Sequence, residues 1–464
     1  MQFPTISYDN YIDLLKSKSE LLILGGKYQH ALDDINKLLF ATENADFINK
    51  NPLAEKANAF VSFGTVYRLC GEYEKSINES RRAIDMIESA GENIARGDAV
   101  DINGKALNNL GIICQNVGKY NEALGHFQKY YDLAKAVGDE AGCGRACGNM
   151  GSVYFGQGLY DEAIKHYTLA MDIADQTGNK RAKGVASGNL GNAYFVKGDL
   201  EKALELHLKD MEIALEIGNK RETGIAAGNI ANVFYVKSDY KGALEYYGKY
   251  SNIAGEIGDK FGAAMAGGNL GAVYKDLGII NKARKSYSRA LELFLSLADK
   301  QGMGYCRTNI GALCLEFDDI AGAEEYLNQA ETDLIEIGDK STLIETYWAM
   351  AELALKKKSV SEKSDRAEDF GNRAMSLSLE IGSDLGKAGS LLVLGTIDHL
   401  QGNYNSAKEK LEEALKLYER LGQKKRLAEA YKKLGQVLYA LGNGSEATKC
   451  GKSAETILKS IGIG

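Results

Sequence analysis

Gly188-Asn189-Leu190-Gly191-Asn192-Ala193-Tyr194 has close relatives forty residues before it and forty residues after it. Its inner small residue recurs as Gly111, Gly151, Gly191, Ala231, Gly271, Gly311 and Ala351, a period of 40 without slippage. Twelve positions further on, an alanine keeps the same beat at Ala123, Ala163, Ala203, Ala243, Ala283 and Ala323. A fixed period of about 20–50 residues marks a stacked repeat array, in which each unit buries its apolar face only against its neighbours.

Each unit reads as two helices. Around the opening stretch the spacing predicts a helix over 181–197, a break at Gly198-Asp199, and a second helix over 200–217. Similar breakers recur at Gly118-Lys119, Gly138-Asp139, Gly158-Leu159, Gly178-Asn179, Ser238-Asp239 and Gly258-Asp259. Glycine with Asn or Asp just past an apolar run is a helix-end signal, because these residues tolerate the left-handed conformation. The pattern extends upstream through Gly64 with Ser76 and Ser19 with Ala31, with longer connections over 41–52 and 91–101. Downstream, a four-residue expansion within 356–365 separates Ala351 from Ala367, and Gly395 with Ala407 and Gly435 with Ala447 restore the beat. The expected architecture is all-α, a solenoid of about eleven hairpins. It divides into irregular repeats over 1–101, regular repeats over 102–340 and divergent repeats over 341–464.

The bulk numbers agree with this reading. Only two prolines occur in 464 residues, of which 45% are hydrophobic and 26% charged. Fifty-two glycines would each cost about 1 kcal/mol inside a helix, but many sit at repeat-locked positions where a missing side chain lets helices approach closely. A net charge of −7 offers no electrostatic footprint for nucleic acid. No apolar run approaches the roughly 18 residues that a membrane span needs, and residues 1–15 lack the basic start and apolar core of a secretory leader. Seven cysteines without CxxC spacing suggest reduced thiols and a cytoplasmic protein.

Leu190-Gly191-x-x-Tyr194 and Leu270-Gly271-x-x-Tyr274, with Ala123-x-x-x-Phe127 and Ala163-x-x-x-Tyr167, resemble the tetratricopeptide repeat. The period is 40 rather than about 34, and Gly-Asp or Gly-Asn replaces the proline usual between repeats. In both respects the chain is similar to the Pins/LGN polarity adaptors and, more distantly, to kinesin light chain. The resemblance implies a right-handed superhelix of more than one turn. First helices would line its concave wall, a channel suited to an extended or helical peptide.

Two positions before the landmark small residue, asparagine occurs six times in succession: Asn109, Asn149, Asn189, Asn229, Asn269 and Asn309. Asparagine is a poor helix former, and a core would select Leu or Ala. An amide offers a donor and an acceptor together, so it can pair with the backbone of a peptide whatever its side chains. Alternatively, these amides bond neighbouring helices and fix the stacking geometry. In peptide-binding tetratricopeptide modules the matching position often carries a ligand-contacting Asn. The resemblance adds two further groove positions, occupied by Asn192 and Asn232 and by Lys105 and Arg145; the basic pair would grip a carboxylate. Gly148, Gly188, Gly228 and Gly268 precede ladder residues and either open the floor to a ligand or permit tight packing.

No catalytic constellation stands out, and no metal or cofactor is expected. Cys143 and Cys147 lie four apart, and His126 and His166 one repeat apart; a metal needs about four converging ligands. The thiols read as small buried residues and the histidines as outer-wall surface. Gly142-Cys143-Gly144 lacks the strand and Gly-Lys-Ser/Thr of a phosphate loop. Trp348 either packs beneath the expansion or closes one end of the groove. Lys356-Lys357-Lys358 reads as a solvated turn, and Lys408, Lys410, Lys424, Lys425, Arg426, Lys432 and Lys433, interleaved with glutamates, as a solvated amphipathic face. The expected function is a non-enzymatic scaffold or adaptor that binds a linear segment of another protein. The alternatives are a structural subunit of a larger assembly and an intracellular receptor for a short signalling peptide. Self-association through an exposed terminal repeat is a further expectation.

Overall fold

The computed structural model describes residues 8–24, 26–44, 50–357 and 363–462. These fold into twenty-two α-helices and one 3-10 turn, and contain no strand. They form two compact units, residues 1–217 and 218–464. The first holds α1 (Tyr8–Leu24), α2 (Tyr28–Asn44), α3 (Pro52–Leu69), α4 (Tyr73–Ala90) and α5 (Arg96–Asn116). It continues with α6 (Tyr120–Val137), α7 (Glu140–Gly156), α8 (Tyr160–Gln176), α9 (Lys180–Lys197) and α10 (Leu200–Glu216). The second holds α11 (Lys220–Val236), α12 (Tyr240–Ile257), α13 (Lys260–Asp276), α14 (Ile280–Leu297), α15 (Lys300–Glu316) and α16 (Ile320–Ile337). It ends with α17 (Lys340–Lys356), α18 (Lys363–Glu380), α19 (Asp384–Leu400), α20 (Tyr404–Arg420), α21 (Lys424–Ala440) and α22 (Gly444–Ser460). Each unit is a helical solenoid of hairpins, five in the first and six in the second. The regular segment 102–340 runs through both units.

The expected helices over 181–197 and 200–217 are α9 and α10. The expected connection over 91–101 is shorter, because α5 begins at Arg96 and reaches 21 residues. Residues 45–49 of the connection over 41–52, and residues 358–362 of the expansion, lie outside those described.

The Gly-Asp junctions serve two helices at once. Gly138 takes φ 74°, the left-handed conformation that closes α6. Asp139 then accepts the Gly142 N–H at 2.9 Å and caps the start of α7. The same cap recurs at Asn179, Asn219, Asp259, Asp299 and Asp339. An aspartate or asparagine cap, not a proline, therefore starts these repeats.

Gly111, Gly151, Gly191 and Gly271 each leave room for a ring, and Gly311 leaves it for Leu327. A Cβ at Gly151 would lie 2.7 Å from the Tyr167 ring, and one at Gly271 would lie 2.8 Å from Tyr287. Without that methyl each aromatic ring packs directly on the first helix of its own hairpin, where Tyr167 and Tyr287 are buried. Successive first helices also touch one another: α3–α5, α5–α7 and α7–α9 in the first unit, and α11–α13, α13–α15, α15–α17 and α17–α19 in the second. Among the described residues no successive second helices come as close. Within each unit the first helices therefore form the inner wall.

Candidate inner-wall site

The six ladder asparagines share one helical position but not one environment. Asn109 is 2% exposed. Its amide donates to Thr65 Oγ1 at 3.1 Å and its oxygen accepts from Arg68 Nε at 3.1 Å, both groups belonging to α3. Asn309 is 3% exposed, donates to the Tyr305 carbonyl at 3.0 Å and accepts from Lys275 Nζ at 2.6 Å. Asn149 is half-buried and donates to Asn108 Oδ1 of the preceding first helix. Asn189, Asn229 and Asn269 are also half-buried, and among the described residues their amides have no hydrogen-bond partner.

The neighbouring groove positions divide in the same way. Asn192 is half-buried without a hydrogen-bond partner among the described residues, whereas Asn232 accepts the Tyr247 hydroxyl of its own hairpin at 2.5 Å. Lys105 pairs with Asp101 one turn earlier at 2.6 Å. Arg145 donates to the Tyr130 hydroxyl at 2.9 Å and lies 3.6 Å from Asp139. Both cations keep exposed heads. In the repeats that follow, the Lys105 position becomes Val185, Ile225 and Met265, all exposed, then Tyr305. The free amides are thus accompanied by accessible aliphatic side chains one helical turn away.

The floor glycines are not alike either. A Cβ at Gly148 would meet nothing within 4 Å. At Gly188 it would lie 2.7 Å from the Asp210 carboxylate, at Gly228 3.0 Å from the Tyr250 ring, and at Gly268 3.3 Å from Tyr305 of the next first helix.

Inside the second unit a cluster of polar groups escapes the periodic reading altogether. Tyr235 donates to Asp276 at 2.7 Å, and the same carboxylate pairs with Lys425 at 2.9 Å. Arg426 lies 5.7 Å from the centre of the Trp348 ring. Lys425 and Arg426, expected on a solvated face, are half-buried within this unit instead. Desolvation pushes the Lys275 amine below its usual pKa, with Arg426 and Lys425 adding repulsion and Glu345 and Asp276 opposing it. The enclosing protein likewise raises the Tyr235 hydroxyl, chiefly by desolvation. Trp348 packs on Gly389 of α19, where a Cβ would overlap its ring, and its Nε1 donates to Ser390 at 3.1 Å. Apart from Tyr235, which follows Phe155 and Phe195 at forty-residue spacing, these residues do not repeat, so the signal that exposed the ladder could not reveal them.

Cys143 and Cys147 are buried, and burial raises both thiols, Cys147 to about 11. All seven cysteines are free. His126 and His166 are half-buried rather than on the surface. His166 stacks on Tyr154 at 5.1 Å, and desolvation lowers both imidazoles. No cluster of three or more His, Cys, Asp or Glu able to hold a metal occurs among the described residues, and no described helix is long and apolar enough to cross a membrane. Lys356 pairs with Asp318 at 3.0 Å, and Lys357 pairs with Glu324.

The sequence matches the tetratricopeptide repeat over residues 103–176, 144–206, 183–256 and 386–460, so the chain carries tetratricopeptide repeats in both units. No curated protein matches it in sequence. In fold it is similar to a Rap protein solved in complex with competence and sporulation factor, with 17% identity and a TM-score of 0.53 over 80% of this chain and 98% of that one. It is also similar to aspartyl phosphate phosphatase F from Bacillus subtilis, with 13% identity and a TM-score of 0.51 over 76% of this chain and 93% of that one. At these identities the likeness shows the fold, a tetratricopeptide-like helical solenoid.

Proposed function

We propose that this chain is a non-catalytic interaction scaffold whose inner wall takes a linear segment of another protein. The observation that carries the reading is the pair Asn229 and Asn269 on the touching first helices α11 and α13. Both amides are half-buried and have no partner among the described residues. A half-buried amide without a partner is costly unless water or a ligand completes it. An extended peptide presents N–H and C=O groups that two successive amides can satisfy, while Ile225 and Met265 receive apolar side chains. Asn189 offers the same capture in the first unit, with Asn192, Lys105 and Arg145 as further contacts. Asn109 and Asn309 contribute by holding helices together.

The forty-residue period and Gly-Asp junctions favour kinship with the Pins/LGN adaptors among tetratricopeptide proteins. Seven free thiols suit a reducing compartment such as the cytoplasm. The test is affinity capture from native lysate by the wild type and by Asn229→Ala with Asn269→Ala, followed by mapping of the captured segment on peptide arrays. Loss of at least about tenfold in affinity, roughly 1.4 kcal/mol, is expected. Unchanged capture by a double mutant with unchanged helicity would sink the reading.

A second reading, a receptor for a small signalling ligand, is favoured by the Rap likeness, which spans 80% of this chain and whose structure holds competence and sporulation factor. A third, a subunit docking by its edge, is favoured by the exposed Leu295, Ile335 and Leu379 on successive second helices.

A further inference from the structure

The second unit closes on itself. Lys425, at the start of α21, donates to the Lys275 carbonyl at 3.3 Å and to Asp276 at 2.9 Å, across about 150 residues of chain. Beside it, at the end of α22, Leu458 and Ile461 join the apolar cluster of Ala231, Tyr240, Tyr247 and Val273. Ile461 is 6% exposed. The last described hairpin of the unit therefore meets its first two hairpins through its open end, by a polar contact from α21 and an apolar contact from the end of α22. Both contacts fall on α11–α13, the helices that carry Asn229 and Asn269.

We infer that the α21–α22 hairpin is a latch held in cis, closing the inner wall of the second unit and governing access to Asn229 and Asn269. The inference rests on the peptide-groove reading for what the latch admits, but the closure itself stands on the contacts above. The contact is built to be reversible. Its ion pair is partly exposed, hence weak and screened by salt, and its apolar part is one aliphatic side chain with a partly buried neighbour. The Asp276 carboxylate is held in place by the Tyr235 hydroxyl whether or not Lys425 is present. The wall is thus preformed when the hairpin leaves. Arg426 travels with Lys425, so opening also removes the cation above Trp348, the only tryptophan in the chain.

The test uses the full chain and a zero-length carbodiimide, which joins an amine to a carboxylate as an amide. Lys387 with Glu413 at 2.7 Å and Lys220 with Glu256 at 2.8 Å serve as internal controls between neighbouring helices. The expected result is a Lys425–Asp276 link within single copies, at a yield comparable to the controls. Ile461→Ser should cut that link severalfold, leave the controls unchanged, and raise acrylamide quenching of Trp348 about twofold. Control links without a Lys425–Asp276 link would overturn the closure. So would a link that Ile461→Ser leaves intact, or one found only between isotopically heavy and light copies.

Gating is then read by panning displayed random dodecapeptides against the wild type, Asp276→Lys, and Asp276→Lys carrying Asn229→Ala and Asn269→Ala. The latch-broken protein should enrich clones at least tenfold more than the wild type, and the added alanines should abolish the gain. Equal enrichment by wild type and Asp276→Lys overturns gating. Enrichment by none of the three, with the link present, overturns the groove reading and gating with it, and leaves the closure standing.

Discussion

Asn109 and Asn269 occupy the same position in two different repeats, yet the first is sealed by hydrogen bonds and the second is half-buried with no hydrogen-bond partner among the described residues. The difference lies in the preceding first helix. Thr65 and Arg68 on α3 reach the Asn109 amide and satisfy both its ends, and Lys275 on α13 does the same for the oxygen of Asn309. Among the described residues no hydrogen bond from α11 reaches Asn269. Periodicity therefore places a side chain on the wall, while a non-periodic neighbour decides whether its amide is satisfied within the fold.

The largest effect should come from removing a satisfied amide. Asn109→Ala leaves the Arg68 guanidinium, already desolvated enough to lower its pKa, without the acceptor that completes it. A loss of roughly 2–3 kcal/mol is expected in denaturant unfolding, because a buried charged donor is stranded. Asn269→Ala strands nothing and gains helix propensity, so its stability should shift by less than about 0.5 kcal/mol. Equal losses at the two positions would erase the distinction between packing and recognition amides.

A second contrast concerns the rings that pack on landmark glycines: Phe127 on Gly111, Tyr167 on Gly151 and Tyr287 on Gly271, against His207 on Gly191. A Cβ at Gly191 would lie 2.6 Å from the His207 ring, which is 1% exposed and held neutral, its pKa depressed by desolvation to about 4. The unfolded chain binds a proton near the ordinary 6.5, whereas the fold resists it until about pH 4. Stability contributed by the neutral ring is therefore present above pH 6.5 and drains away as pH falls toward 4. At pH 5 the loss amounts to about 2 kcal/mol. His207→Phe should remove that loss, seen as a flatter dependence of unfolding midpoint on pH between 7 and 5. A slope unchanged in the variant would mean that another group carries it.

The repeat, the hairpin boundaries and the six amides were legible in the sequence because each recurs every forty residues. Half of the Gly-Asp signal was not: read as a helix end, it also caps the helix that follows, as Asp139 and Asp259 show. The interior of the second unit was illegible for a deeper reason. Lys425 and Arg426 sit among glutamates in a pattern that any solvated helix face would show. They become interior only because six hairpins curl far enough to bring α21 against α13. Curvature accumulates from small rotations at every junction, and no single motif encodes it. The two compact units meet at 217/218, inside the most regular stretch.

The smallest expected effect separates a floor left open from one already filled. Gly148 lies mid-helix with no atom to meet a Cβ within 4 Å, so Gly148→Ala should stabilise the fold by up to about 1 kcal/mol through helix propensity alone. At Gly228 the same methyl presses on the Tyr250 ring at 3.0 Å, and the propensity gain is spent moving it, so the net change should lie near zero. Unfolding midpoints of the two variants measure this directly. Pairing them with a binding measurement sharpens the result, since a methyl at Gly148 projects into space next to Asn149 that no described residue fills within 4 Å. A protein made more stable and yet poorer at capturing its partner would mean that the space at Gly148 belongs to the ligand. One made more stable with capture unchanged would assign that gap to packing and confine recognition to the unsatisfied amides.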